Sequence, residues 1–548
     1  MAEQRVNKGQ SRLAIVGAGS SGLITIKYAK DALPGWEIVT YERSDSVLGC
    51  WGRPYPGFVS TSTKFTTQFA CYPVFDASVQ PDGGTSRSEF FCEGEYGDYL
   101  EAFTDAFQLR QHIRFRSHVK SVKWNDEATR WKLSVVHHEG ENNVAEEFFD
   151  AVILCTGLAS QPKAVGYNIP CVAVKQLSTP EGVSQIRNST IIVMGGGESA
   201  VDHASRLANY ELNNRVYLAL QSGIRVSPRY HPIRGVPSDF LRNRLMLSIH
   251  EDMRNWIGQR FVELRILYED KFRWLFPNRT SPTSTENQTQ TAVRKEWTWR
   301  LTKAAKDDLF NMFHNKSDDF LELVAQERIK IIGMPTDDSA TEFFEFQSTE
   351  TLRVSPDWIV PSIGFRSTIE SILEGEICLA DFFLGCRCVK APGLYLVGFA
   401  RPIIGNIPSI SEMQAAYVTE LIAGKTHTQD ELQIIEKEHA RNRINLQHRF
   451  SKLNLDAIYP VEMFPYCDEL AKRMNLFPTM RSIGSISDWI RLQWAPATTI
   501  QYFWSNPQAR KRVRGIQIYM PMVLIVLLLT LKPVDAMYRA YRWLKGAR

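Results

Sequence analysis

Two short stretches constrain this chain more than anything else in it. "LAIVGAGSSG" (13–22) and "IIVMGGGESA" (191–200) each run an apolar strand into a glycine turn and then into a helical pattern. Gly17, Gly19 and Gly22 stand at GxGxxG spacing. The first glycine permits the tight turn, the second lets backbone approach a pyrophosphate, and the third lets helix pack on strand. The helix N-terminus then offers free N–H groups and partial positive charge to phosphates. Glu42 closes the next strand 42 − 22 = 20 residues after Gly22, where an acid meets a ribose hydroxyl. Gly195, Gly197 and Ala200 repeat the device with alanine in the third place. Each such turn seats one dinucleotide, so two turns imply two: a bound flavin and a nicotinamide that reduces it.

At 548 residues the chain is too long for one core. Its alternating strand and helix patterns predict a doubly wound α/β architecture. Two dinucleotide-binding (Rossmann-like) domains are expected, the NAD(P) domain inserted in the FAD domain, plus a C-terminal membrane helix. The boundaries read as 11–160 for the FAD domain's first part and 161–335 for the NAD(P) domain with a helical insertion. They continue as 336–430 for the FAD domain's second part, 431–510 for a helical extension and 511–548 for a membrane-associated tail. "PDWIVPSIGF" (356–365) and "GLYLVGF" (393–399) have buried-strand composition and are expected to rejoin the first domain. The polar tract 277–291 reads as a loop.

Balanced charge, 64 basic against 60 acidic residues, argues against a nucleic-acid partner. The N-terminus lacks the apolar core of a secretory signal, so the catalytic body is expected to face the cytoplasm. Nine scattered cysteines without ligand spacing predict reduced thiols and no metal. The tail differs from the rest. "IQIYMPMVLIVLLLTL" (516–531) carries no charge, is preceded by Arg510, Lys511, Arg512 and Arg514, and is followed by Lys532, Arg539, Arg542 and Lys545. It is shorter than the roughly 20 apolar residues of a full span. It either crosses a thin bilayer or lies in the interface, and membrane attachment is expected either way.

Beyond these readings, residues 11–425 resemble the flavin-containing monooxygenase family. "GAGSSG" and "YERSDSVLGCWG" are similar to its FAD fingerprint and the glycine–tryptophan stretch that follows. "VSTSTKFTTQFACYPVF" (59–75), "FFDAVILCTG" (148–157), "GGGESAVD" (195–202) and "GLYLVGFARPIIGNIPSISEMQAAY" (393–417) resemble further family segments. The resemblance implies FAD contacts from Gly17, Ala18, Gly19, Ser20, Ser21, Gly22, Glu42, Arg43, Cys50, Trp51, Ser60, Thr61 and Ser62, with Glu412 and Gln414 in the last segment. It implies nicotinamide-nucleotide contacts from Gly195, Gly197, Ser199, Ala200, Val201, Asp202, Gln221 and Arg229. It also implies that NADPH reduces the flavin and that O2 adds to it as a C4a-(hydro)peroxide, which oxygenates a small organic substrate. Localisation at the endoplasmic reticulum membrane and a homodimer are compatible with the same likeness.

Several positions depart from the family pattern. Thr61 stands where the family carries the asparagine that contacts the oxygenated flavin, and takes the catalytic assignment here. Gln221 replaces the arginine that meets the 2′-phosphate, which leaves NADPH against NADH open, although Arg225 or Arg229 lies close enough to substitute. Glu198 replaces an asparagine and sets a negative charge beside phosphates. Ile169, Cys171, Lys175 and Thr179 occupy the key places of the F-x-G-x-x-x-H-x-x-x-(F/Y) motif, which is gone. These changes point to a tailoring step on an aromatic or polyketide-like substrate. The alternatives are an N/S-oxygenase of xenobiotics, a Baeyer–Villiger monooxygenase, a flavin-dependent reductase or oxidase, and a non-enzymatic flavin-binding module.

Overall fold

The computed structural model describes residues 10–52, 55–79, 86–137, 144–173, 176–231, 235–268, 285–305, 311–424, 429–519 and 522–544. The first unit begins with β1 (Arg12–Val16), α1 (Ser20–Ala32), β2 (Glu37–Tyr41), β3 (Val59–Thr63) and β4 (Ala151–Leu154). The second holds β5 (Thr190–Met194), α2 (Glu198–Leu207), β6 (Arg215–Ala219), α3 (Glu251–Tyr268), β7 (Ile329–Pro335) and β8 (Trp358–Pro361). The chain then supplies β9 (Leu394–Leu396), α4 (Ile407–Ala423), α5 (Ile486–Trp494) and the tail helix α6 (Met522–Leu544).

Each unit is wound the same way. β1 lies between β2 and β4, all parallel, with Leu13 opposite both Ile38 and Ala151. β5 lies between β6 and β8, with Ile191 opposite Val216 and Trp358. In both, the first strand has its successor on one side and a later strand on the other, so a crevice opens at its C-terminal end. β9 extends the first sheet by pairing with β4, and Arg387–Cys388 and Phe382–Phe383 follow beyond it. Strands buried on both faces read as continuous apolar runs, which is why β1 and β5 are legible.

Two expectations need correction here. β8 pairs with β5, so the stretch 356–365 belongs mainly to the second sheet, which also takes in Glu342–Glu345 and Thr351–Arg353 and runs past residue 335. Composition announces a buried strand but not which sheet receives it. Residues 285–291 of the polar tract open the helix Thr285–Lys303, since their Glu, Gln and Thr include no helix breaker; residues 277–284 lie outside the described residues. The helical extension after residue 431, on whose packing the sequence is silent, is joined to the body: Tyr459–Glu462 pairs with Ala400–Ile404, and Leu492, Ile500, Trp504 and Val513 share a core with Phe65 and Phe240.

The C-terminal membrane helix is also revised. Ile516 and Tyr519 are buried in that shared core, where the Tyr519 hydroxyl donates to the Ala77 carbonyl at 3.1 Å. The apolar run is therefore split, and α6 continues into Lys532, Asp535, Arg539 and Arg542 with Pro533 inside it. Among the described residues no helix is long and apolar enough to cross a membrane.

Candidate active site

At the first turn Gly17 has φ +99° and its N–H donates to Tyr41 O at 2.8 Å. A Cβ there would sit 2.8 Å from Cys155 O, and one on Gly22 would sit 2.0 Å from Gly17 O, so both positions require glycine. The turn is narrow because β4 and α1 crowd it. α1 begins without a side-chain cap and without an acidic residue in its first turn. Its leading N–H groups are left for an anion, which fits a pyrophosphate.

Glu42 is buried beside this turn, accepting from Ala18 N–H at 2.8 Å and from the N–H and hydroxyl of Ser44 at 2.9 and 2.8 Å. Arg43 is exposed next to it. The Ser20 hydroxyl lies 2.9 Å from the Tyr96 hydroxyl, and the Tyr96 ring packs edge-on to Trp51 with centroids 4.6 Å apart. Cys50 is exposed at the mouth of this wall. Ser21 turns away from the crevice, 2.9 Å from the Ser411 hydroxyl on α4.

Glu412 and Gln414 do not line the crevice. Both are 0 % exposed. Glu412 accepts from the N–H groups of Ala70 (2.6 Å) and Cys71 (3.0 Å) and from the Tyr28 hydroxyl (3.2 Å). Gln414 accepts from Gly398 N–H at 2.9 Å and donates to the Tyr466 hydroxyl at 2.8 Å. They brace the segments around the site, which corrects their assignment as flavin contacts. Burial raises the Glu412 carboxyl above its ordinary range, while the two N–H donors pull it back.

The second turn has the same build. Gly195 has φ +119°, and a Cβ on it would meet Ser362 O at 2.3 Å. A Cβ on Gly197 would meet nothing within 4 Å, so backbone there faces open space. Gly197 precedes α2 without a side-chain cap. Ser199 is exposed at the opening, and Ala200 and Val201 are buried beneath it. These features fit a second pyrophosphate, with one conflict at Glu198. Its side chain is exposed at the cleft, where crowding by the surrounding protein and the nearby Asp202 push the carboxyl up to about 7, against Lys316, Arg401 and Arg229. Asp202 itself accepts from the Tyr55 hydroxyl of the first unit. The Arg206 guanidinium lies 4.5 Å above the Tyr55 ring. Gln221 is exposed just past β6.

Between the two turns runs β3, and the second unit grips it. Arg229 Nη2 donates to Val59 O at 2.7 Å and Nε to Ser60 O at 3.0 Å. Lys316 Nζ donates to Thr61 O at 2.5 Å and to Asp239 Oδ1 at 2.7 Å. Asp239 Oδ2 accepts from Thr63 N–H at 3.0 Å and the Thr66 hydroxyl at 3.2 Å. Burial opposes both charges of the pair, yet Lys316 and Arg242 hold the Asp239 carboxyl below its usual range; the Lys316 ammonium is pulled down. Arg229 is 5 % exposed and also paired to Asp318 at 3.2 Å, so it is not available to a 2′-phosphate; that assignment is withdrawn. Ser60 is buried with its hydroxyl on Ser62 O at 2.7 Å, whereas Thr61 and Ser62 are half-buried. The Thr61 hydroxyl has no hydrogen-bond partner among the described residues. Asp239 and Lys316 escaped the sequence reading because neither sits in a motif, and only the folded chain brings them to β3.

Two wound sheets, each with a crevice and an uncapped helix end, define a flavoprotein that also receives a nicotinamide nucleotide. The flavin-binding monooxygenase-like family model matches residues 10–291, and the chain belongs to this family. Its cofactors are FAD and NADPH, and it is an oxidoreductase. It is 23% identical over 499 residues to the 4-hydroxybenzoate brominase (decarboxylating) of Marinomonas mediterranea, covering 86% of each chain. It is 25% identical over 502 residues to human flavin-containing monooxygenase 1, covering 86% of this chain and 84% of that one. The structure of oxidized steroid monooxygenase bound to NADP superposes with a TM-score of 0.54 at 18% identity, over 85% of this chain and 97% of that one.

Proposed function

We propose that this monooxygenase carries out a tailoring oxygenation on a small aromatic or polyketide-like substrate, with Thr61 presenting a half-buried hydroxyl of β3 to the flavin crevice. The observation that carries the reading is the grip on β3: side chains of the nicotinamide unit fix the carbonyls of Val59, Ser60 and Thr61, so the strand facing the flavin is positioned by the domain that delivers the reductant. The relationship to a brominase of 4-hydroxybenzoate supports an aromatic ring as substrate.

Bound FAD supplies the redox chemistry, accepting hydride from NADPH and activating dioxygen. The protein's own part is to hold and orient. The leading N–H groups of α1 would hold the pyrophosphate of FAD, and those of α2 would hold that of NADPH. Trp51, half-buried beside the first turn, is backed by the buried ring of Tyr96. Thr61 can donate to, or accept from, the group bound in front of it, with shorter reach than a carboxamide.

The test is direct. Purified chain loaded with FAD is mixed anaerobically with NADPH or NADH, and labelled dioxygen is then admitted with phenolic acids, tertiary amines or cyclic ketones. Bleaching followed by label in a phenolic product supports the reading. Label confined to amine or ketone products replaces it with one of the alternatives, and bleaching that yields only hydrogen peroxide with every substrate sinks it.

A further inference from the structure

Arg401 carries a charge that the fold does not use. It stands second in the strand Ala400–Ile404 and is exposed, next to the buried Ala400. Its guanidinium lies on the Phe313 ring, 3.9 Å from the centroid. Arg401 makes no hydrogen bond and no ion pair among the described residues. Surrounding protein lowers the guanidinium from its ordinary range, and Glu198 raises it. A group that water reaches while protein crowds it lies in a cleft, not on an open surface.

Two sets of contacts place that cleft. Phe313 stands three residues before Lys316, whose ammonium holds Thr61 O, and two before Asn315, whose Nδ2 donates to Gly196 O at 2.9 Å. The run 311–316 thus links the second glycine turn to β3. The strand of Arg401 leads into α4, and the start of α4 is fastened just past β3: Asn406 Nδ2 and the Ser409 hydroxyl donate to Thr66 O at 2.9 and 2.7 Å. Arg401 therefore stands in the cleft between the second turn and β3, where Thr61 presents its hydroxyl. Lys316, Arg229 and Arg401 all act on Glu198 at that turn. Lys316 is spent on Thr61 O and Asp239, and Arg229 on Val59 O, Ser60 O and Asp318. Arg401 is left open to a ligand. Phe313 covers one face of its fork and leaves the N–H edge for in-plane, two-pronged contact, the geometry that a carboxylate matches. The nucleotide phosphates already have a seat at the uncapped end of α2.

We infer, resting on the aromatic-substrate reading above, that Arg401 determines specificity by clamping a carboxylate of the substrate. The molecule oxygenated is then an aromatic acid, its carboxylate on the free edge of the guanidinium and its ring toward Thr61.

The experiment uses the full chain loaded with FAD, titrated with 3-hydroxybenzoate, 4-hydroxyphenylacetate and 4-hydroxycinnamate and with the methyl ester of each. Binding is read from the flavin absorbance change and by calorimetry. At least one acid is expected to bind about tenfold or more tightly than its ester, the scale of charge-assisted hydrogen bonds. R401Q is expected to remove that preference by weakening the acid alone, with ester affinity and flavin content per chain held. R401K, a point charge without the fork, is expected to recover part of it. Wild-type protein that binds no acid more tightly than its ester, or a preference that survives R401Q, overturns the clamp. So does an R401Q whose acid preference stands while its dissociation constant for NADP⁺ rises, since Arg401 then serves the nucleotide phosphates. Failure of the aromatic reading shows separately: acids and esters that all stay unlabelled by dioxygen, with the acid preference still lost in R401Q, refute oxygenation of phenols and support the clamp.

Discussion

A carboxyl at the first residue of α2 opposes what that helix end is built to receive. Its N–H groups and dipole favour negative phosphate, and an ionised Glu198 repels it. With the carboxyl pushed up to about 7, Glu198 is largely neutral below that pH and charged above it. Protonation therefore favours nucleotide binding, and KM for NADPH is expected to rise by about three- to tenfold as pH climbs through 7, the scale of a charge at a helix end. E198Q removes the charge and should give a low, flat KM profile; a profile that keeps its rise in the variant removes Glu198 from the explanation. Gln221 makes the second prediction at this scale. It is exposed past β6, and Arg229 is locked on β3. Q221R supplies a planar charged donor for a 2′-phosphate, expected to improve NADPH over NADH by about tenfold. Unchanged discrimination in initial rates would place that phosphate elsewhere.

β3 is the element on which the two units meet. The buried Lys316–Asp239 pair, each side chain 7% exposed, fixes Thr61 O on one side and Thr63 N–H on the other. K316M leaves the buried Asp239 with only the more distant Arg242, at 3.7 Å, as counter-charge, at a cost of up to about 3–5 kcal/mol. Its melting temperature should fall, and K316M/D239N should recover part of the loss because the uncompensated charge is gone. Equal melting temperatures for K316M and wild type would show that the pair contributes nothing. The sign with pH follows from the depressed Asp239: its stabilisation is present above the ordinary aspartate range and fades as pH falls below it. None of this was legible in the sequence. Asp239, Arg229 and Lys316 reach β3 from 176, 170 and 255 residues away, and each is an ordinary polar residue locally. The glycine turns were legible because strand, turn and helix end are neighbours along the chain, so spacing alone carries the geometry. The membership of β8 and the burial of Ile516 and Tyr519 escaped for the opposite reason: an apolar run states that it will be covered, not by what.

For the whole molecule, delivery of hydride depends on how one wound sheet sits on the other. Arg229 and Lys316 tie the second unit to β3. A further tie is Tyr55, whose hydroxyl donates to Asp202 on α2 while Arg206 covers its ring. Burial raises the Asp202 carboxyl and the Tyr55 bond pulls it down, so the ionised acid relies on that donor. Y55F keeps the ring and the cation above it and removes only the hydroxyl. The lost charge-assisted bond is worth about 1.5–3 kcal/mol at the contact between units, not within either core. Flavin content per chain is then expected to be unchanged, since the first turn is untouched. Anaerobic bleaching by NADPH should slow by about tenfold or more at saturating nucleotide, because hydride transfer is sensitive to small displacements of donor from acceptor. A variant that bleaches at the parent rate would show that the remaining contacts suffice to seat the units. One that loses FAD would show that Tyr55 serves the first crevice instead.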